Sequence, residues 1–194
     1  MGRSEQKAET RAQLLAAARD VFDERGYDRA SIKAVAQAAG TAVGTVYTHF
    51  ADKSALAVAA FEDDIQRTVV QAWASMPPGS PHEKLVHLGA QLLGYYNQRP
   101  ALSRALLKAI LFAPRPDAQT PAFLQRVAML LGDARYTGHV RDDADVEAAA
   151  HAFFASYYLI LIGGMSGHIP TLDAQVAALD RQVALLFAGI GAQP

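Results

Sequence analysis

The sequence predicts an all-α protein in which a small N-terminal three-helix domain of helix-turn-helix type is joined by a long helix to a larger helical domain. Three observations carry this. Apolar residues recur at three- and four-residue spacings over almost the whole chain, and no run alternates as a strand does. Clusters of glycine and proline, notably over 77–81 and 163–167, cut the chain into lengths that suit helices. Two short apolar-periodic segments flank Gly40, which is the outline of a helix-turn-helix.

Each element has its own justification. Leu14, Leu15, Ala18, Val21, Phe22 and Arg25 define an amphipathic first helix that Gly26 ends. Ser31 stands where an N-cap should, with a hydroxyl for an orphan backbone N–H. Ile32, Val35, Ala36 and Ala39 then share one buried face, and the small Ala38 and Ala39 let the next helix approach. Gly40 suits the left-handed residue that closes a helix. From Val43 to Phe50 a second short helix turns Val46 and Phe50 inward and leaves Thr45, Thr48 and His49 on or beside an open face. Asp52 caps a long fourth helix toward Met76, with Leu56, Ala60, Val69 and Trp73 among its apolar positions. Further helices are expected over 83–98, 100–112, 123–136, 145–162 and 172–190, for a total of nine, or ten if one breaks. Pro100 opens one of them, while Pro114, Pro116 and Pro121 mark a loop.

In a helix-turn-helix the second helix enters the major groove of DNA. The run from Ala38 to Lys53, Ala-Ala-Gly-Thr-Ala-Val-Gly-Thr-Val-Tyr-Thr-His-Phe-Ala-Asp-Lys, resembles the signature of the TetR family of bacterial transcriptional regulators. The likeness extends upstream through Leu14–Phe22 and Arg25–Asp28 and covers roughly residues 8 to 60. It implies a DNA-binding domain over 1–53 and an effector-binding and dimerisation domain over 54–194. The expected DNA contacts are Ser31, Lys33, Thr41, Val43, Gly44, Thr45, Tyr47, Thr48, His49 and Lys53, with Tyr47, His49 and Lys53 on phosphate. The chain departs from the family pattern at Ala42 and Val43, where small polar or basic residues are frequent. No Arg, Asn or Gln lies between Gly40 and Phe50, so base readout would rest on threonine hydroxyls, methyl contacts to thymine and DNA shape.

Composition narrows the alternatives. The net charge is −1, with eight Lys and Arg against seven Asp and Glu in residues 1–53, so electrostatics alone is a weak warrant for DNA binding. What matters is the placement of Arg3, Lys7, Arg11, Arg29, Lys33 and Lys53 around the motif. There is no cysteine, hence no disulfide framework and no thiolate metal site. The six histidines show no metal-ligand spacing, and no serine sits in a recognisable nucleophile elbow. Neither an enzyme nor a cofactor is therefore expected. The start is polar and charged, unlike a secretory signal, and the apolar stretch 148–165 reads as a buried helix rather than a membrane span. A cytoplasmic protein is the expectation.

The last helix carries Leu172, Val176, Leu179, Val183, Leu186 and Ile190 in alternating four- and three-residue steps. Such a seam can face the chain's own core or a second copy. The resemblance implies the second: a homodimer interface of Phe153, Phe154, Leu161, Val176, Leu179, Val183, Leu186 and Ile190. It also implies a pocket for a small-molecule effector in the larger domain. Its expected lining is Tyr95, Phe112, Phe123 and Tyr157, with Met129 as filler and His87 or His151 as a polar handle.

Overall fold

The computed structural model describes residues 2–98, 100, 102–104, 107 and 119–191. Among them lie eight helices and no strand: α1 (Arg3–Arg29), α2 (Ile32–Ala38), α3 (Val43–His49), α4 (Lys53–Ala74), α5 (Pro81–Gln98), α6 (Gln119–Tyr136), α7 (Val146–Met165) and α8 (Leu172–Ile190). The helix expected over 100–112 lies largely outside the described residues. The chain forms two compact units, one of residues 2–67 with 102–104 and 107, the other of residues 68–98, 100 and 119–191. The division falls inside α4.

In the first unit the buried side chains include Leu14, Ala18, Val21 and Phe22 of α1, Val35 and Ala36 of α2, Val46 of α3, and Leu56 and Phe61 of α4. α1 starts at Arg3, well before its first buried leucine, because Gln6, Lys7, Ala8, Glu9 and Ala12 favour helix without needing a buried face. Gly26 interrupts α1 rather than ending it: its φ of 73° breaks the helix, and Tyr27–Arg29 follow as a short turn. Arg19 ties α1 to α4 through Asp63 at 2.8 Å and Asp64 at 3.4 Å. Asp52 caps α4 by accepting the Ala55 N–H at 2.7 Å.

The second unit is a bundle in which α5 packs on α8, and α7 packs on α6 and α8. Ser80 and Glu83 form a reciprocal cap at the start of α5, the Ser80 N–H reaching Oε2 of Glu83 at 2.7 Å and the Glu83 N–H reaching the Ser80 hydroxyl at 3.3 Å. Helices approach most closely where glycine removes a side chain. A Cβ at Gly89 would overlap Cδ2 of Leu179, and one at Gly164 would overlap the Gln175 carboxamide. Gln175 is fully buried and donates to the carbonyl of Ile169 at 2.9 Å while accepting from Asn97 at 2.8 Å. By length and composition α7 could cross a membrane. In this fold one of its faces, through Phe153, Tyr157, Ile160 and Leu161, is core.

Candidate nucleic-acid interface

The recognition segment is built from anchors on one side and open surface on the other. Ser31 accepts the Ala34 N–H at 3.2 Å, which starts α2, and Ile32, Ala34, Val35 and Ala36 fill its buried face. Ala38 is exposed and Ala39 half-buried, while Ala34 and Ala36 are the small residues on the buried face of α2. Gly40 adopts φ +64°, and the N–H of Thr41 returns to the Ala36 carbonyl at 2.9 Å. Val46 and Phe50 hold α3 from inside.

The open side of α3 carries Val43, 39% exposed, and Tyr47, 54% exposed. Gly44 and Thr48 are exposed beside them, and Thr41, Thr45 and His49 are half-buried at the margin. The Thr48 hydroxyl donates to the Gly44 carbonyl at 3.0 Å, which leaves its lone pairs to accept. No side chain caps α3, whereas Ser31 caps α2. Lys33 and Ser31 are exposed on the neighbouring helix.

Lys53 is engaged by its own chain. Its ammonium donates to the carbonyls of Tyr27 at 2.9 Å, Ala30 at 3.2 Å and Asp28 at 3.4 Å, and lies 4.4 Å from the centre of the Tyr27 ring. The break at Gly26 and the end of α1 just after it leave carbonyls with no helical partner, and Lys53 satisfies them. It therefore fixes the α1–α2 connection. Two cations outside the signature stand beside the end of the recognition helix. Arg11 lies 4.9 Å over the Phe50 ring. Desolvation, then the charges of Lys7 and Arg11, hold the His49 imidazole below its ordinary pKa of 6.5. Lys7 and Arg11 stand four residues apart on α1, and that spacing was the available signal that they share a face.

The residues expected to line an effector pocket do not form one set. Phe123 and Tyr157 flank Phe154 at ring distances of 6.1 and 6.0 Å. Tyr95 joins them through Tyr96, whose hydroxyl is bonded to that of Tyr157; burial pushes both phenols above their ordinary pKa. Three residues stand apart. His87 places Nε2 3.2 Å from the Ala72 carbonyl at the end of α4. His151 is exposed, with Nδ1 2.8 Å from the Glu147 carbonyl. Met129 is 62% exposed and lines a different cleft. Phe112 lies outside the described residues.

The expected dimer seam is also divided. Phe153, Leu161, Leu179 and Val183 are core of their own chain. Phe154, Val176, Leu186 and Ile190 are half-buried. The apolar side chains that do face outward are Leu159, 70% exposed, Ile162, and Leu185, 68% exposed. They stand with Ala152, Ser156 and Gln182 on the adjacent outer stripe of α7 and α8.

Residues 14–60 match the family described as bacterial regulatory proteins, tetR family. The chain is 28% identical over 149 residues to the transcriptional repressor KstR of Mycolicibacterium smegmatis, a match covering 76% of this chain and 71% of that one. It is 27% identical over 188 residues to the A-factor receptor protein of Streptomyces griseus, covering 94% of this chain and 65% of that one. A crystal structure of a TetR-family transcriptional regulator from Pectobacterium atrosepticum superposes with a TM-score of 0.79 at 26% identity, covering 100% of both chains. With the signature in place at its N-terminus and this correspondence along its whole length, the chain belongs to the TetR family of bacterial transcriptional regulators.

Proposed function

We propose that this chain is a cytoplasmic, homodimeric repressor that holds a near-palindromic operator through α3 and leaves it when a small apolar or aromatic effector binds the larger domain. The observation that carries the reading is the outward face of α3, where Val43, Gly44, Tyr47 and Thr48 stand exposed on a helix pinned by Val46 and Phe50. We assign DNA contact to Thr41, Thr45 and His49 at its margin and to Ser31 and Lys33 on α2. Residues 1–53 take the DNA-binding role and residues 54–194 effector binding and dimerisation. Kinship with KstR, named a repressor, and with a protein named a receptor supports both the sign of regulation and the response to a ligand. Regulation requires that effector and operator favour different states of the dimer. No catalytic role is assigned to any residue.

The outer stripe of α7 and α8 supplies the contact between copies. A two-fold pair of α3 helices then reads half-sites one helical turn, or a multiple, apart. Gel-shift titration against DNA upstream of the chain's own gene tests the reading. A discrete complex that survives excess random-sequence competitor is the expected result. Binding that competitor removes at every salt concentration would refute it.

A further inference from the structure

In the second unit, the end of α4, the start of α5 and the outer side of α6 enclose an open cleft of about 440 Å³, a size typical of small-molecule sites. We infer that this cleft binds an organic carboxylate with an aromatic or short aliphatic body. The inference deepens the effector half of the proposed function and rests on that reading only for its regulatory consequence. The site differs from the aromatic cluster around Phe154.

Charge argues for an anion. Lys84 and Arg126 both line the cleft, and among the described residues neither has a carboxylate within ion-pair distance. Asp133 is the one acid on the wall, so the lining carries an excess of one positive charge. The guanidinium of Arg126 lies 4.3 Å over the Trp73 ring, which fixes its plane beside the opening. A guanidinium so held presents its N–H fork to a planar carboxylate with little further loss of freedom. Trp73 adds a second observation: its indole N–H is buried and reaches no acceptor. Buried donors are almost always satisfied, so this orphan is a group that an incoming acceptor would satisfy once a small shift of its neighbours opens it to the cleft. The rest of the wall is Met76, Pro81, Met129 and Leu130, which suits a compact apolar body. It also gives a reason for Met129 to stand 62% exposed: a flexible side chain can close on ligands of different outline.

Trp73 is the only tryptophan in the chain, so its emission reports on this cleft alone. The full-length protein is titrated without DNA, with phenylacetate and with its neutral isostere phenylacetamide. The expected result is a saturable change in emission, with the acid binding about tenfold more tightly than the amide because its bonds to two cations are charge-assisted. Lys84→Gln leaves the tryptophan stack in place and is expected to weaken the acid about tenfold without affecting the amide. Arg126→Gln, followed by calorimetry because it alters the fluorophore's surroundings, is expected to do the same. Circular dichroism melting confirms that each variant is folded. Equal affinity for acid and amide, unchanged binding in both variants, or no saturable response would each overturn the assignment. Operator binding measured without any ligand tests the DNA reading separately, so the failure of one is distinguishable from the failure of the other.

Discussion

α3 buries one of its seven residues, Val46, and α8 buries three of its nineteen, Gln175, Leu179 and Val183. Both helices therefore show most of their surface, yet what they show differs. α3 presents hydroxyls, a phenol, a glycine backbone and an imidazole, groups that satisfy a polar and charged partner. α8 presents Leu185 and, with Leu159 and Ile162 of α7, an apolar stripe that has no reason to remain in water. The contrast separates the two partners by chemistry. A nucleic acid suits the first face, and a second protein surface suits the other.

The largest effect should come from charging the apolar stripe. Leu159→Glu with Leu185→Glu removes, from each copy, two side chains that are worth about 1.5–3 kcal/mol each when buried. Light scattering should find a monomer of unchanged helicity, because both residues are exposed in the single chain. A dimer that persists would place the interface elsewhere. Next is Lys53→Ala. As a cap on three carbonyls, Lys53 should cost about 1–2 kcal/mol of stability when lost. The salt dependence of operator binding should keep its slope, whereas loss of a phosphate contact would reduce the slope by about one charge.

Tyr47→Phe should act on binding and leave the melting temperature alone, because among the described residues its hydroxyl has no partner to lose. Removing one hydrogen bond should weaken every sequence alike by roughly fivefold. Weakening confined to one base position would make Tyr47 a reader of bases. The smallest effect concerns His49. Its pKa in the folded chain lies below 6.5, through desolvation and then Lys7 and Arg11. The unfolded chain therefore takes up the proton first as pH falls. Stability present above pH 6.5 should decline below it, and His49→Gln should remove that part of the decline. Phosphate beside the ring reverses the preference, so operator affinity should rise over the same range. Parallel trends would put His49 away from the DNA.

The difference between α3 and α8 also explains how much could be read from residues alone. Around α3 the information is local. Ser31 caps, Gly40 turns, and Val46 and Phe50 anchor, all within twenty residues, so the open face follows by subtraction. In α8 the same periodicity picked out Leu179 and Val183, which are the core, because a helical repeat gives the width of an apolar face without saying which neighbour covers it. Gln175 shows the limit most clearly. A glutamine among leucines reads as surface, yet it is fully buried because Asn97 and the Ile169 carbonyl, distant in sequence or in a loop, complete its bonds. The bonds of Lys53 are hidden for a related reason: the carbonyls it serves belong to a break in α1 more than twenty residues away. The cleft beside Trp73 was not foreseen, since its walls come from three helices whose proximity no single segment encodes.

The most direct test of the whole account is selection of bound DNA from a random pool by the purified protein, followed by measurement of the mass of the complex on the winning sequence. The account predicts enrichment of one near-palindromic site, occupied by copies of the chain in even number. A pool that stays random after selection, or a single copy bound to a site without symmetry, would contradict it.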